Sequence, residues 1–372
     1  MTAPMALAIL SACGGGTAAD DEVAADAGST RAHALAVVSG GGVYVDSTNG
    51  KDSNTGTQSK PIKTLAKLAT FQLTAGQNIY LNCSGLWRET LTLAPTMLAD
   101  GATVTGYGTA CATSKPRIVG SNDYSSRWTK TGNVWSKSVG TTVPKISRLF
   151  VNGQMMRVAQ WPNATVNNGT SLTDATAPSS ATSTILTAVD AAALAGKNLV
   201  GATLLVKTQP WTIDTVTVST YTAATRAMTV AGTVAYPLGP GDNYTLQDQQ
   251  WMVDAPGEFY HDTAKGIVYL YPPDAATQGN LNGAKVEGSI RDNAITLSGR
   301  SNIKLTNLSA EMARDNGVYL LNAPGAVLTG LNVVDNTNRG VHVDLNVAVP
   351  ATTPSVSVTA SKVSGSTLVG ID

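Results

Sequence analysis

From residue 43 onward the chain is dominated by short runs in which apolar and polar residues alternate, and few runs keep a period near 3.6. Alternation with period two sends successive side chains to opposite faces of a strand. Val43-Tyr44-Val45, Asn78-Ile79-Tyr80-Leu81-Asn82, Leu86-Trp87-Arg88-Glu89-Thr90-Leu91-Thr92-Leu93 and Ile267-Val268-Tyr269-Leu270-Tyr271 therefore predict strands. One short helix is expected where Pro61 enters a first turn and Ile62, Leu65 and Leu68 share a face. Gly132-Asn133 and Lys265-Gly266 predict hairpins between flanking strands. From 165 to 246 the texture changes to Thr/Ala-rich stretches, with strands expected over 204–207, 212–219 and 227–230 and a helix over 190–199.

After Pro273 the alternation settles into a repeat. Gly317-Val318-Tyr319-Leu320 recurs 23 residues later as Gly340-Val341-His342-Val343, and 30 residues after that as Gly370-Ile371-Asp372. A second strand recurs as Ile303-Lys304-Leu305-Thr306, Val327-Leu328-Thr329 and Val356-Ser357-Val358-Thr359. Recurrence at 20 to 30 residues predicts a solenoid of strand coils, with the third coil lengthened by a loop over 347–355 that holds Pro350 and Pro354. Val318, Leu320, Val341, Val343 and Ile371 then face inward, while Tyr319, His342 and Asp372 form an outward column at about 4.8 Å per coil. Asp344 shares that outer face. The chain stops at Asp372 in mid-strand without the polar unit that protects a solenoid's last coil, which predicts a truncated C-terminal end.

Composition narrows the functional classes. Formal net charge is zero and charged residues make up 13% of the chain, against about 25% in an average soluble domain. No basic stripe invites nucleic acid, and no acidic tail suggests a basic partner. The apolar run 5–10 leads into Leu10-Ser11-Ala12-Cys13, which resembles the lipobox of bacterial lipoproteins, in which the cysteine becomes the lipidated first residue. The positive n-region of a signal peptide is missing, so the start fits the inside of a longer signal. Residues 14–40 are small and weakly apolar, and read as a flexible tether. With Cys13 so used, Cys83 and Cys111 either pair in an oxidising envelope compartment or stay as buried thiols; both options are open. No apolar run reaches the ~18 residues of a transmembrane helix.

Three segments carry a family resemblance. Tyr44 through Leu65 has the order strand, Gly/Asn loop, short helix, and is similar to the N-terminal cap of secreted pectin-lyase-like β-helix proteins. Leu149-Phe150-Val151-Asn152-Gly153 through Trp161-Pro162-Asn163 and Asp254-Ala255-Pro256-Gly257-Glu258-Phe259 through Pro272 resemble segments of β-helix glycoside hydrolases. Gln160 stands where those proteins have Arg, and Phe259 where they have Trp. The resemblance implies an all-β fold: a right-handed parallel β-helix with an N-terminal capping helix and an inserted small β-domain. The expected organisation is signal and lipobox over 1–13, linker over 14–42, cap and first coils over 43–164, inserted β-domain over 165–250, and return hairpin with coils over 251–372.

The outward column is the densest chemical patch in that frame. Asp344 and Asp372 are the candidate catalytic carboxylates, with His342 tuning one of them. Tyr319, Asp315 and Asp335 are candidate substrate contacts. The expected function is a cell-envelope, lipid-anchored, monomeric glycoside hydrolase acting on polysaccharide without a cofactor. The alternatives are a Ca²⁺-dependent polysaccharide lyase, in which Lys304 or Lys362 is the base and Asp315, Asp335 and Asp344 hold the metal, and a non-catalytic adhesion rod. Asp46, Asn49, Asp52 and Asn54 also offer oxygen atoms to calcium, although Asp and Asn are default turn residues. Asp315 and Asp335 precede Asn316 and Asn336 and read equally well as turn residues, while Glu258 and His261 suit a structural role.

Overall fold

The computed structural model describes residues 36–37, 40–163, 170–172, 183–238, 241–346 and 355–372. The chain separates into a unit of residues 1–34 and a unit of residues 35–372. Cys13, the lipobox and most of the tether lie outside the described residues, as does most of the loop over 347–355.

The second unit is nearly all β, and three parallel sheets carry the repeat. The first contains Gly42–Val45, Asn78–Asn82, Thr103–Tyr107, Lys304–Thr306, Val327–Thr329 and Ser357–Thr359. The second contains Leu86–Trp87, Arg117–Val119, Ser309–Glu311, Asn332–Val334 and Lys362–Ser364. The third contains Leu91–Leu93, Asn293–Ser298, Asn316–Leu321, Arg339–Asp344 and Val369–Ile371. The chain visits first, second and third sheet in turn and returns to the first, so each circuit adds one strand to every sheet. The predicted recurrences fall into register: Leu305 opposite Leu328, Leu328 opposite Val358, Val318 opposite Val341, and Val341 opposite Ile371. The inward residues of all three sheets form one core, with Ile79, Val104 and Leu305 from the first, Trp87, Ile118 and Ala310 from the second, and Leu91, Ile295 and Val318 from the third. Each large side chain buried there contributes about 1.5–3 kcal/mol.

At the N-terminal end the helix is Leu65–Leu68, shorter than the sequence pattern suggests. Thr64 sets its start by accepting the Lys67 N–H, and Ile62 bridges Val45 in extended form, so Pro61 precedes the helix instead of opening it. Ile62, Leu65 and Leu68 are all buried as the shared face requires. The Asp-rich loop is wired internally. Asp46 accepts from the Thr48 and Asn49 amides and from both the Asn49 and Asn82 side chains. Asp52 accepts from Lys63, Thr64 and the Thr64 hydroxyl. Those bonds pull both carboxyls below their usual range against the upward push of burial. A disulfide joins Cys83 to Cys111 across 28 residues.

One circuit is interrupted. After Val119 the chain leaves the parallel sheets, and it rejoins them at Asn293. The intervening stretch builds a four-stranded sheet of Ser121–Asp123, Leu149–Val151, Gln154–Met155 and Val286–Ser289. It also builds a five-stranded sheet around the hairpin of Glu258–Asp262 and Ile267–Tyr271, and a seven-stranded sheet that runs from Gln160–Trp161 to Asp242–Gln247 in sequence. The expected helix over 190–199 is Ala188–Ala193: the Thr187 side chain caps it at Asp190, and Gly196 follows with φ +72°. The excursion leaves and returns at one point, because the Gly120 carbonyl accepts the N–H groups of both Ile290 and Arg291. It grips the coils through Phe150, which packs with Val119 and Met312, and through Arg148, which donates to the Gly365 carbonyl at 2.6 Å and to Thr367 Oγ1.

Candidate functional site

Two outward faces of the coils collect polar chemistry. On the third sheet Tyr319 lies directly opposite His342, and their rings stack with centroids 5.3 Å apart at an interplanar angle of 8°. Tyr319 Oη donates to Asp344 Oδ2 at 3.2 Å, and His342 Nδ1 lies 3.3 Å from Asp372 Oδ2. Burial, followed by the Asp344 charge, raises the Tyr319 phenol. The column predicted from the 23-residue recurrence is thus assembled. Arg339, missed in the sequence, joins it through Nε–H to Asp372 Oδ2 at 2.7 Å.

The remaining predicted residues divide. Asp315 stays near the column but is a turn residue, accepting the Asn338 side-chain amide at 2.8 Å while its carbonyl accepts the Asn338 N–H. Asp335 lies elsewhere. It ends the second-sheet strand with φ +58°. Burial raises its carboxyl, opposed by the Arg148 and Lys362 charges and helped by that of Glu311.

On the second sheet Arg117, Ser309, Asn332 and Lys362 stand opposite one another on successive coils. This row and Glu311 line a groove of about 580 Å³, closed on the far side by Cys83, Ser84 and Lys115. Glu311 is buried and accepts bidentately from Arg117, with Nη2–H at 2.6 Å and Nε–H at 3.0 Å. The Ser309 hydroxyl donates to the same carboxylate at 2.6 Å. That bond network raises Arg117 above its ordinary value. Lys115 Nζ donates to Asn307 Oδ1 and to the Gly330 carbonyl, fixing the opposite wall. Beside the groove Arg88 binds the buried Glu287 at 2.6 Å and the Ser121 carbonyl at 3.0 Å, tying the excursion to the coils. Buried carboxylates persist when charge-assisted donors compensate them.

The sequence reading missed this groove. A signal was present: Ser309-Ala310-Glu311 alternates around the buried Ala310, so both polar side chains share the outer face. Glu258 and His261 are structural. Glu258 is fully buried and caps the Asp254 and Ala255 amides, and His261 Nδ1 accepts the Ile146 N–H. Among the described residues no group of three or more His, Cys, Asp or Glu side chains is placed to hold a metal ion.

No protein-family model matches this chain, and no curated protein matches it. Solved structures do. One described as a glycoside hydrolase aligns over 82% of this chain and 67% of its own, at 14% identity and a TM-score of 0.57. The complex of XylC with xylose aligns over 82% of this chain and 42% of its own, at 14% identity and a TM-score of 0.41. The GH136 lacto-N-biosidase from Eubacterium ramulus aligns over 81% of this chain and 34% of its own, at 11% identity and a TM-score of 0.25. This chain spans less than half of the latter two. The first match shows that this chain shares its fold with that solved structure over 82% of its length; fold by itself does not define a reaction.

Proposed function

We propose that this chain is a right-handed parallel β-helix protein that hydrolyses glycosidic bonds in a polysaccharide, working in the second-sheet groove. One observation carries the reading: the buried, Arg117-clamped Glu311 faces an open groove among Ser309, Asn332 and Lys362, and Asp335, which follows the strand Asn332–Val334 outside the groove's lining, is a second carboxyl that feels its charge. Glycoside hydrolysis needs two carboxyl groups whose environments separate their roles. Asp335 is the proton donor to the leaving oxygen and, once ionised, takes the proton of the water that then bonds to the anomeric carbon. Glu311, with both oxygens accepting hydrogen bonds, stabilises the positive charge that develops on the sugar ring. Asn332 and Lys362 offer hydrogen bonds to sugar hydroxyls along the coil axis. The likeness to a solved glycoside hydrolase supports the same reading at the level of fold. The Leu10-Ser11-Ala12-Cys13 sequence supports attachment of this activity to the cell envelope.

The test is release of reducing ends from a panel of neutral and acidic polysaccharides by the wild type, Asp335→Asn and Glu311→Gln. The expected result is turnover by the wild type and a loss of about 10³-fold in each variant. A product absorbing in the ultraviolet selects a lyase instead, and undiminished turnover in both variants removes the groove from the chemistry. The Tyr319–His342–Asp344–Asp372 column is the second location, favoured by its stacked rings and paired carboxylates. Asp344→Asn and Asp372→Asn distinguish it.

A further inference from the structure

The seven-stranded sheet of the excursion carries a second concave, polar place far in sequence from the groove residues. Its strands Thr203–Gln209 and Thr212–Thr222 are joined by the two-residue turn Pro210-Trp211. A soluble protein gains nothing in folding from an indole at such a tip, yet Trp211 is 74% exposed and Ile213 67%. Large apolar side chains left in water mark recognition surfaces when polar groups border them. Here they do. Lys207, Thr208, Gln209 and Pro210 form one wall of a small depression of about 260 Å³, and Gly241, Asp242 and Asn243 of the neighbouring strand form the other. Lys207 is in direct register with Asn243, and Trp211 follows Pro210 in the turn that ends the first wall. A register shift between Val206 and Gln209 bends this arm just before the tip, as β-bulges do where a side chain is re-aimed. The hairpin is also braced from behind. Asp214 accepts from the Thr208 hydroxyl and from the Ala235 N–H, which holds the neighbouring, 39% exposed Tyr236 beside the same arm.

We propose that this hairpin tip is a saccharide-binding subsite separate from the groove, with the Trp211 indole as the stacking platform for one sugar ring. Lys207, Gln209, Asp242 and Asn243 supply hydrogen bonds to its hydroxyls. An exposed aromatic face beside donors and acceptors of both signs matches a pyranose, which is apolar on its ring faces and polar around its edge. With one charge of each sign in its lining, Lys207 and Asp242, the depression carries no net charge, which suits a neutral sugar. Such a subsite holds polymer near the protein without taking part in bond cleavage. The proposal shares with the groove reading only the class of ligand.

The experiment is native gel electrophoresis of the full chain through gels containing xylan, mixed-linkage β-glucan or polygalacturonate. Retardation by at least one neutral polymer is expected for the wild type, with a loss of tenfold or more in apparent affinity for Trp211→Ala at an unchanged melting temperature. Trp211→Phe, which keeps a ring, should recover part of the binding. Val189→Ser, which removes a 79% exposed apolar side chain elsewhere on the excursion, should change nothing. Wild-type protein that no polymer retards overturns the subsite, whether or not the groove hydrolyses glycosides. So does full retardation of Trp211→Ala. Protein that is retarded yet inert in the reducing-end assay leaves the subsite standing and removes the hydrolase reading.

Discussion

The second and third sheets come from the same circuits of the same chain, yet they treat polar side chains in opposite ways. On the third sheet the polar residues close on their neighbours: Tyr319 stacks on His342 and donates to Asp344, and Asp372 accepts from Arg339. On the second sheet Arg117, Ser309, Asn332 and Lys362 stack in register as well, but they line open space. Arg117 and Glu311 are 194 residues apart in sequence, come from coils on either side of the excursion, and enclose space instead of filling it. The third-sheet column packs ring on ring along the stack, whereas the groove leaves a clamped carboxylate, Glu311, facing open space. Stacked polar rows thus mark architecture on both sheets, and what separates the two faces is the space that one of them leaves open.

The largest expected effect tests that contrast directly. Glu311→Gln and Asp335→Asn should each lower turnover by about 10³-fold, near 4 kcal/mol of barrier, while Asp344→Asn and Asp372→Asn should lower it by less than about tenfold. The reverse ranking in reducing-end assays would transfer the active face to the third sheet. Next in size is the groove wall. Removing the Cys83–Cys111 link, which closes a 28-residue loop, should cost about 3 kcal/mol in denaturant titrations of Cys83→Ser. A smaller loss, about 2 kcal/mol, is expected from Arg117→Met, which leaves Glu311 buried without its cation. Breaking a fully buried pair costs about 3–5 kcal/mol, and the Arg117 side chain is 40% exposed.

The pH dependence sharpens the comparison further. Burial raises the Asp335 carboxyl, so the folded chain holds that proton more tightly than the unfolded chain does. Its favourable contribution is complete below the unfolded carboxyl's pKa of about 3.9 and is lost as pH rises through the folded value. Asp335→Asn should therefore raise the melting temperature at pH 7 and lose that advantage toward pH 3. Asn also tolerates the positive φ at this position. The smallest effect is expected on the third sheet: His342→Ala should cost about 0.5–1 kcal/mol, the scale of one stacked pair.

Much of the coil architecture was legible because period-two alternation and a 23-residue recurrence are local signals. Val318, Val341 and Ile371 had to face inward once the repeat was seen, and that fixed Tyr319 and His342 outward. The groove was not legible for two reasons. Its strands, such as Ser309–Glu311 and Asn332–Val334, are three residues long and share no residue type that would align them as a repeat. Its partners meet only because residues 120–292 are looped out between them. Asp335, a candidate substrate contact and turn residue by sequence, follows a second-sheet strand, and no sequence distance reveals which sheet a three-residue strand joins.

The single exit and entry point of the excursion at Gly120 also sets a clock. The strand Leu91–Leu93 waits for Ile295, Thr296 and Leu297 as its neighbours, and those residues are made about two hundred residues later. At roughly 5–20 residues per second, the nascent chain carries an open seam on its third sheet for about 10–40 s. Throughout that interval the Leu91 and Leu93 edge is bare, while the excursion has time to fold by itself. Splicing residue 120 to residue 291 would remove the delay, and it would turn the slowest closure in the molecule into a contact between near neighbours.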